Sequence, residues 1–100
     1  MSYLDDMFGL DGRKVVITGG GGVIAGALAE ALLNAGATVA LWDIEKKFAD
    51  AAIERLTELT GAGDRLLGVA VDAMSEDSVR EAVAATEDAV GQIDVLINAA

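Results

Sequence analysis

Two patterns of hydrophobic and polar positions alternate along this 100-residue chain. Short and nearly continuous apolar runs predict buried strands. The runs lie at 14–18, 38–42, 66–71 and from 93 or 94 to 97. Between them, apolar residues recur three and four positions apart, which predicts amphipathic helices. The predicted helices cover 23–35, 45–59 and 76–90, each ending near a glycine, and Ser75 is the predicted N-cap of the third.

The apolar positions of the first two predicted helices indicate which side of each helix faces the core. In the first helix they are Val23, Ala27, Leu28, Ala31 and Leu32. In the second they are Phe48, Ala52, Ile53, Leu56 and Leu59. We therefore expect both helices to pack against a sheet through these side chains.

Strands that alternate with helices predict an α/β fold in three layers, with a parallel sheet between helices and right-handed crossovers. The expected strand order is 3-2-1-4. With 53% hydrophobic residues, residues 1–100 contain enough apolar material for the core of a single domain. The composition therefore favours one folded domain over a disordered chain.

Four consecutive glycines join the first predicted strand to the first helix, in the order Thr18-Gly19-Gly20-Gly21-Gly22-Val23. Glycines permit a tight turn, and the backbone N–H groups at the positive end of a helix attract anions. Residues 20–25 match G-x-G-x-x-A, a form of the dinucleotide fingerprint. The pattern predicts a pyrophosphate cradle at Gly19, Gly21, Gly22, Val23 and Ile24. The alternative is a turn whose glycines only allow close packing.

Asp43 ends the second predicted strand, about 20 residues beyond the glycines, where the dinucleotide motif has its acid. A carboxylate there accepts hydrogen bonds from both ribose hydroxyls of NAD and repels the 2′-phosphate of NADP. No arginine stands at 43 or 44 to attract that phosphate. The sequence therefore predicts NAD as the preferred cofactor. The alternative is that Asp43 only caps the helix that begins near Glu45.

Charge and composition exclude several other classes of protein. The formal net charge is −10 with only 7 lysines and arginines, which disfavours nucleic acids and anionic membranes as partners. The chain contains no cysteine or histidine, so it has no disulfide, thiolate nucleophile, histidine triad or Cys/His metal site. We expect no metal site. Without a basic leader or a long apolar segment, we expect a cytoplasmic protein.

From Thr18 onward, the glycine run resembles the T-G-x-x-x-G-x-G motif of the short-chain dehydrogenase/reductase family. Val23 and Ala25 occupy the places of the second and third glycines. Residues 8–14 resemble the family's approach to its first strand, and residues 98–100, Asn-Ala-Ala, resemble its N-N-A-G segment. The resemblance covers the whole chain and implies the N-terminal half of a Rossmann-type NAD(P)-binding domain.

The resemblance also implies roles for residues at the ends of the third and fourth strands. Asp72, followed by Ala73, would contact the adenine amino group, and the alternative is another helix-initiating acid. Asn98 would brace the sheet against the first turn, and the backbone at Ala99 would approach the adenosine ribose. The alternative for this segment is a generic strand end.

By resemblance, the complete enzyme transfers hydride between a nicotinamide and an alcohol or carbonyl, with no particular substrate indicated. The family's catalytic serine, Tyr-x-x-x-Lys pair and asparagine lie beyond the fourth strand, so no catalytic residue is identified here. Tyr3 is the only tyrosine, and Lys46 and Lys47 are expected on a helix surface. We therefore expect the chain to hold the adenosine and pyrophosphate half of the cofactor and to be inactive alone.

An open apolar fourth strand, Val95-Leu96-Ile97, predicts self-association into a homo-oligomer, most simply a two-fold dimer. Two other classes of function stay open. An S-adenosylmethionine-dependent methyltransferase also uses a glycine-rich first turn and an acid after its second strand. A non-catalytic nucleotide-binding or scaffold module would keep the fold without the chemistry.

Overall fold

A computed structural model describes residues 10–99, in which four strands alternate with three α-helices. The strands are β1 (Lys14–Thr18), β2 (Thr38–Asp43), β3 (Leu66–Ala70) and β4 (Val95–Asn98). The helices are α1 (Val23–Asn34), α2 (Lys46–Thr60) and α3 (Glu76–Val90), and a 3-10 turn (Gly63–Arg65) precedes β3. Tyr3, Ala100 and the first residues of the predicted approach to β1 lie outside the described residues.

The four strands form one parallel sheet in the order β3-β2-β1-β4, which confirms the predicted topology. In this register Val16 pairs with Ala40 on β2 and with Leu96 on β4. Because all the strands are parallel, their carboxyl ends lie at the same edge of the sheet. This edge carries the glycine turn (residues 19–22) and the strand-end acids.

Helices cover both faces of the sheet. Alternate residues of β1 and β2, including Val15, Ile17 and Leu41, pack in one cluster with buried residues of α1 and α2. The residues between them, including Val16 and Trp42, pack with α3 through Ala82 in a second cluster. The three-layer arrangement is therefore confirmed. The central strands β1 and β2 bury the residues of both their faces, as their continuous apolar runs predict, whereas β3 is only partly buried and β4 is largely exposed.

Trp42 also ties the sheet to α3 through a polar contact. Its Nε1–H donates to Oγ1 of Thr86 at 3.0 Å, and Thr86 is only 1% exposed. A buried indole N–H without an acceptor would be costly, and this bond satisfies it.

The predicted core face of α1 is wrong. The buried residues are Ala25, Gly26, Ala29 and Leu33, whereas Val23 is 90% exposed and Ala27, Leu28 and Ala31 are also exposed. Leu32 alone of the predicted set packs partly against the core. Almost every position of this helix is apolar, so periodicity does not select a face. Small side chains decide it, because they let the helix backbone lie close to the sheet.

In α2 the prediction is partly correct. Ala52 and Leu56 are buried and Ile53 is half-buried against the core, but Phe48 and Leu59 are exposed. In the first turn of the helix, the buried residue is Ala49 and not Phe48, which was expected to face the core. The small residue again faces the sheet, where space between the layers is limited.

The bounds of β1 and α3 are as predicted, and those of the other elements differ from the predictions by one or two residues. Ser75 is the N-cap of α3, as predicted, since its Oγ accepts the N–H of Ser78 at 3.2 Å. Glycines with positive φ follow all three helices, at Gly36, Gly61 and Gly91. Within residues 10–99, no helix is long and apolar enough to cross a membrane.

Candidate functional site

A cavity of about 510 Å³ opens at the carboxyl edge of the sheet, and residues at or just after the ends of β1, β2 and β3, together with residues of β4, line it. Five predicted site residues are among them: Gly19, Asp43, Asp72, Ala73 and Asn98. Gly21, Gly22 and Val23 line a smaller cavity of about 270 Å³ beside α1 and α2. Ile24 and Ala99 are not among the lining residues of either cavity.

The glycine turn lies directly against β2 and α2. The N–H of Gly20 donates to the carbonyl of Trp42 at 2.9 Å, and a Cβ on Gly20 would lie 2.5 Å from Cβ of Leu41. A Cβ on Gly21 would lie 2.5 Å from Cβ of Phe48. Packing therefore requires glycine at these two positions, as the alternative interpretation of the run anticipated, whatever ligand the turn binds.

Helix α1 begins without a capping side chain. Its N-cap is Gly22, and its first turn contains no acidic residue. The N–H of Gly26 donates to the carbonyl of Gly22 at 3.0 Å, whereas the N–H groups of the three residues between them have no acceptor among the described residues. These three open donors lie at the positive end of the helix, where the local potential favours negative charge.

The glycines themselves contribute fewer free donors than the motif suggests. The N–H of Gly21 donates to Oδ2 of Asp43 at 3.0 Å, and the N–H of Gly22 donates to the carbonyl of Gly19 at 3.0 Å. Donors for an anion therefore come from the first turn of α1, at Val23, Ile24 and Ala25. From the sequence, the donors were expected at Gly19, Gly21 and Gly22 as well as at Val23 and Ile24.

Asp43 is half-buried at the end of β2 and contacts two other segments. Its Oδ2 accepts the N–H of Gly21, and its Oδ1 accepts the N–H of Glu45 at 3.1 Å. The second bond lies at the start of α2, where the capping interpretation placed Asp43. The first crosses to the glycine turn. Asp43 therefore belongs both to the start of α2 and to the glycine turn.

Asp72 lies in the turn between β3 and α3. Its Oδ1 accepts the N–H of Met74 at 3.0 Å, and its own N–H donates to Oγ of Ser78 at 2.9 Å. Since Ser75 is the cap of α3, the Asp72 carboxylate organises the turn that leads to the helix. It is exposed and lines the large cavity.

The end of β4 is joined to the end of β1. The Thr18 hydroxyl donates to Oδ1 of Asn98 at 2.8 Å, and the N–H of Ala99 donates to the carbonyl of Thr18 at 3.2 Å. Thr18 immediately precedes the glycine turn. The two bonds therefore hold the first turn against the fourth strand, the place where the sequence predicts a brace.

Ile44 and Met74 are among the lining residues that were not identified as site residues from the sequence. Ile44 and Met74 are 67% and 95% exposed, and both line the large cavity. Each follows a strand-end acid, Ile44 by one residue and Met74 by two. A large apolar residue just beyond such an acid was the signal that could have found them.

A parallel sheet whose first strand turns through glycines into an uncapped helix, with an acid ending the second strand, defines a Rossmann-type nucleotide-binding fold. Comparison with known proteins identifies the family. Residues 13–100 match the sequence model of the family described as short chain dehydrogenase. The chain belongs to the short-chain dehydrogenase/reductase family, which confirms the resemblance found in its motifs.

Among its relatives is a cis-1,2-dihydrobenzene-1,2-diol dehydrogenase of Pseudomonas putida, 40% identical over 88 residues, or 88% of this chain and 30% of the relative. The N-domain of a bacterial malonyl-CoA reductase, solved with NADP, is similar with a TM-score of 0.86 at 37% identity. That match covers 91% of this chain and 17% of the other.

The 3-ketoacyl-(acyl-carrier-protein) reductase of Brucella melitensis, solved with NADH, is similar with a TM-score of 0.77 at 31% identity. The match covers 87% of this chain and 34% of the reductase. The chain thus spans about 30% of the length of the first curated relative. These similar proteins are named dehydrogenases and reductases, and the two solved structures contain nicotinamide dinucleotides of both kinds.

Proposed function

We propose that this chain is the cofactor-binding segment of an NAD(P)-dependent oxidoreductase that interconverts an alcohol and a carbonyl. The bound nicotinamide would supply or accept the hydride. Residues of this chain would bind the adenosine and pyrophosphate portions, and the substrate and catalytic groups would lie outside it. The observation that carries the proposal is the uncapped start of α1 beside the Asp43 carboxylate.

The start of α1 fits a pyrophosphate. Three backbone N–H groups, at Val23, Ile24 and Ala25, have no acceptor among the described residues, and no acidic side chain occupies the first turn. The helix dipole adds a partial positive charge at the same place. An anion there would complete the hydrogen bonding that the protein leaves open.

Asp43 fits the adenosine ribose. Each of its carboxylate oxygens accepts one backbone N–H, and an ionised carboxylate has about four acceptor positions. Two positions are left for the ribose hydroxyls. A 2′-phosphate would place like charges together, and Lys46 nearby in sequence is already paired with Asp50 at 3.1 Å. We therefore propose NAD as the preferred cofactor.

The large cavity fits an adenine ring. Exposed apolar side chains of Ile44 and Met74 are available to cover its faces, and burying them would stabilise the complex. Asp72 lines the same cavity and offers carboxylate oxygens to the amino group. Asn98 and Ala99 lie at the end of β4 and complete the proposed adenosine site.

We also propose that the isolated chain self-associates through β4. Leu96 and Val95 are 62% and 41% exposed, and β4 is one of the two edge strands of the sheet. Exposed apolar edges pair readily with other strands. Light scattering at high micromolar concentration is expected to show a dimer, and a monomer at that concentration would contradict this proposal.

Calorimetric titration of the chain with NAD, NADP and S-adenosylmethionine in parallel tests the proposed function. NAD is expected to bind more tightly than NADP, with a dissociation constant on the order of 1 mM because only part of the ligand contacts this chain. Asp43→Ala is expected to weaken NAD binding about tenfold, from the loss of hydrogen bonds to a charged group.

Asp88→Ala is the matched control, since it removes the same charge from an exposed position on α3 that lines neither cavity. It is expected to leave the NAD affinity unchanged. Tighter binding of S-adenosylmethionine than of NAD would favour the methyltransferase alternative. If none of the three ligands binds, the proposed cofactor site is wrong for this chain.

A further inference from the structure

We propose that Asp43 is a positioning residue for the glycine turn as well as a ribose acceptor, so that one carboxylate couples the two halves of the cofactor site. This inference rests on the proposed function for its ligand, but not for its geometry. The contacts that support it exist within the protein itself.

The Asp43 carboxylate joins the end of β2 to the glycine turn, which is remote in sequence, and to the start of α2, which directly follows β2. It belongs to β2, its Oδ2 accepts the N–H of Gly21 at 3.0 Å, and its Oδ1 accepts the N–H of Glu45 at 3.1 Å. The bond to Gly21 spans 22 residues of sequence. The carboxylate therefore fixes the glycine turn and the start of α2 relative to the end of β2.

Packing allows Gly21 little freedom around this bond. A Cβ on Gly21 would lie 2.5 Å from Cβ of Phe48 and 3.0 Å from Oδ2 of Asp43, so the residue fits between α2 and the carboxylate. On the other side of the turn, Gly20 donates to the carbonyl of Trp42 at 2.9 Å. Two consecutive N–H groups of the turn are thus bound to the end of β2.

The start of α1 follows from the same arrangement. Gly22 is the N-cap, directly after Gly21, and the three open N–H donors come next. Loss of the Asp43 carboxylate would release the Gly21 N–H and leave the Gly20 bond as the one hydrogen bond, among the described residues, that joins the turn to β2. The donors proposed for pyrophosphate would then lose their fixed position relative to the ribose acceptor.

Amide hydrogen exchange of the ligand-free chain, followed by NMR, tests the inference directly. Asp43→Ala is expected to accelerate exchange of the Gly21 amide at least about tenfold, as expected for loss of a hydrogen bond to a charged acceptor. The amide signals of Val23 and Ile24 are expected to shift. Amides within β2 exchange through global opening of the chain. Their exchange rates are therefore expected to change only as far as the free energy of unfolding of the variant changes.

Asp72→Ala is the matched control. It also removes a carboxylate at the same edge of the sheet, but within residues 10–99 that carboxylate accepts only the N–H of Met74, two residues away. It is expected to leave Gly21 exchange unchanged. Asp43→Asn retains one acceptor oxygen and is expected to give an intermediate rate, and it replaces Asp43→Ala if the alanine variant does not fold.

Equal Gly21 exchange rates in the native chain and the Asp43 variants would overturn the inference. Similar acceleration by Asp72→Ala would also overturn it, because the effect would then be general to the edge. These measurements need no ligand, so they are separate from the titration. If the native chain binds NAD but the Asp43 variants leave Gly21 exchange unchanged, the positioning role alone is refuted. If Asp43→Ala accelerates Gly21 exchange but the native chain does not bind NAD, the proposed function alone is refuted.

Discussion

Helices α1 and α3 begin at the same edge of the sheet but satisfy their N-termini differently. At α3, the Ser75 hydroxyl accepts the N–H of Ser78 at 3.2 Å, and Glu76 and Asp77 place negative charge in the first turn. At α1, the cap is Gly22 and the first turn has no acid. Helix α3 binds one N–H of its first turn with its own cap and balances the positive end with acidic side chains, whereas α1 leaves its first-turn donors open and its positive potential unbalanced.

The two approaches to these helices differ in the same way. Before α3, Asp72 and Ser75 form a polar turn with room for side chains. Before α1, the glycine turn lies so close to β2 that a Cβ on Gly20 would be 2.8 Å from Cα of Leu41. The start of α1 therefore differs from the start of α3 by what it lacks, namely side chains in the preceding turn and an internal cap.

The largest expected effect comes from filling the space between the glycine turn and β2. Gly20→Ala would place Cβ 2.5 Å from Cβ of Leu41 and too close to its backbone, so something in the buried sheet must move. We expect a loss of about 3 kcal/mol in the free energy of unfolding, at the upper end for overpacked sites. Urea denaturation followed by the fluorescence of Trp42 measures it.

Gly22→Ala is the control for this change. Its Cβ would meet only the carbonyl oxygen of Gly19, at 3.3 Å, and its backbone has a negative φ of −80°. We expect a loss below about 1 kcal/mol, mainly because alanine is a poor N-cap. Equal losses in the two variants would show that close approach to β2 is not what requires glycine at position 20.

An intermediate effect is expected from giving α1 the kind of N-terminus that α3 has. Gly22→Asp adds a capping carboxylate, which is expected to stabilise the fold by about 0.5 kcal/mol. The same charge would repel the pyrophosphate, so NAD affinity is expected to fall about tenfold, or about 1.4 kcal/mol. Denaturation and calorimetric titration measure the two effects separately.

Gly22→Asn separates capping from charge, because its side chain also caps but is neutral. It is expected to stabilise the fold while weakening NAD binding less than Gly22→Asp does. If the aspartate variant bound NAD as tightly as the native chain, the start of α1 would not be the pyrophosphate site.

The smallest effect is expected at α3. Ser75→Ala removes the cap and should lower the free energy of unfolding by about 1 kcal/mol. NAD affinity is expected to stay unchanged, because this helix end supplies no donor to the proposed ligand. Ser75→Asp, which restores a capping oxygen, should recover the stability. A tenfold loss of NAD affinity in Ser75→Ala would remove the distinction between the two helix ends.

The strands, the helices and their order along the chain were predictable because each element depends on a pattern local to one segment. The spatial order of the strands followed from the fold class that this alternation indicates. The apolar runs of β1 and β2 are buried on both faces, and the glycine stops and the Ser75 cap lie next to the helices they end or begin. The core face of α1 was not predictable in the same way. Its residues are apolar on nearly every side, so the choice of Ala25, Ala29 and Leu33 depended on close contact with the sheet.

Much of the candidate site was also visible in the sequence. The glycine run and Asp43 have a known spacing, and Asp72 and Asn98 were identified through the family resemblance. Ile44 and Met74 were missed because an exposed apolar residue after a strand has no distinctive pattern by itself. Their proximity to the cavity became evident only when the strand ends were brought together.

The sequence by itself determined the elements, their parallel order and the family, because local periodicity and motif spacing carry that information. Only the tertiary structure decided which N–H groups of the glycine turn are already bound. It shows that Gly21 donates to Asp43, 22 residues away, and that the first turn of α1 keeps its donors open. Such pairings depend on distances between segments remote in the chain, which no local pattern specifies.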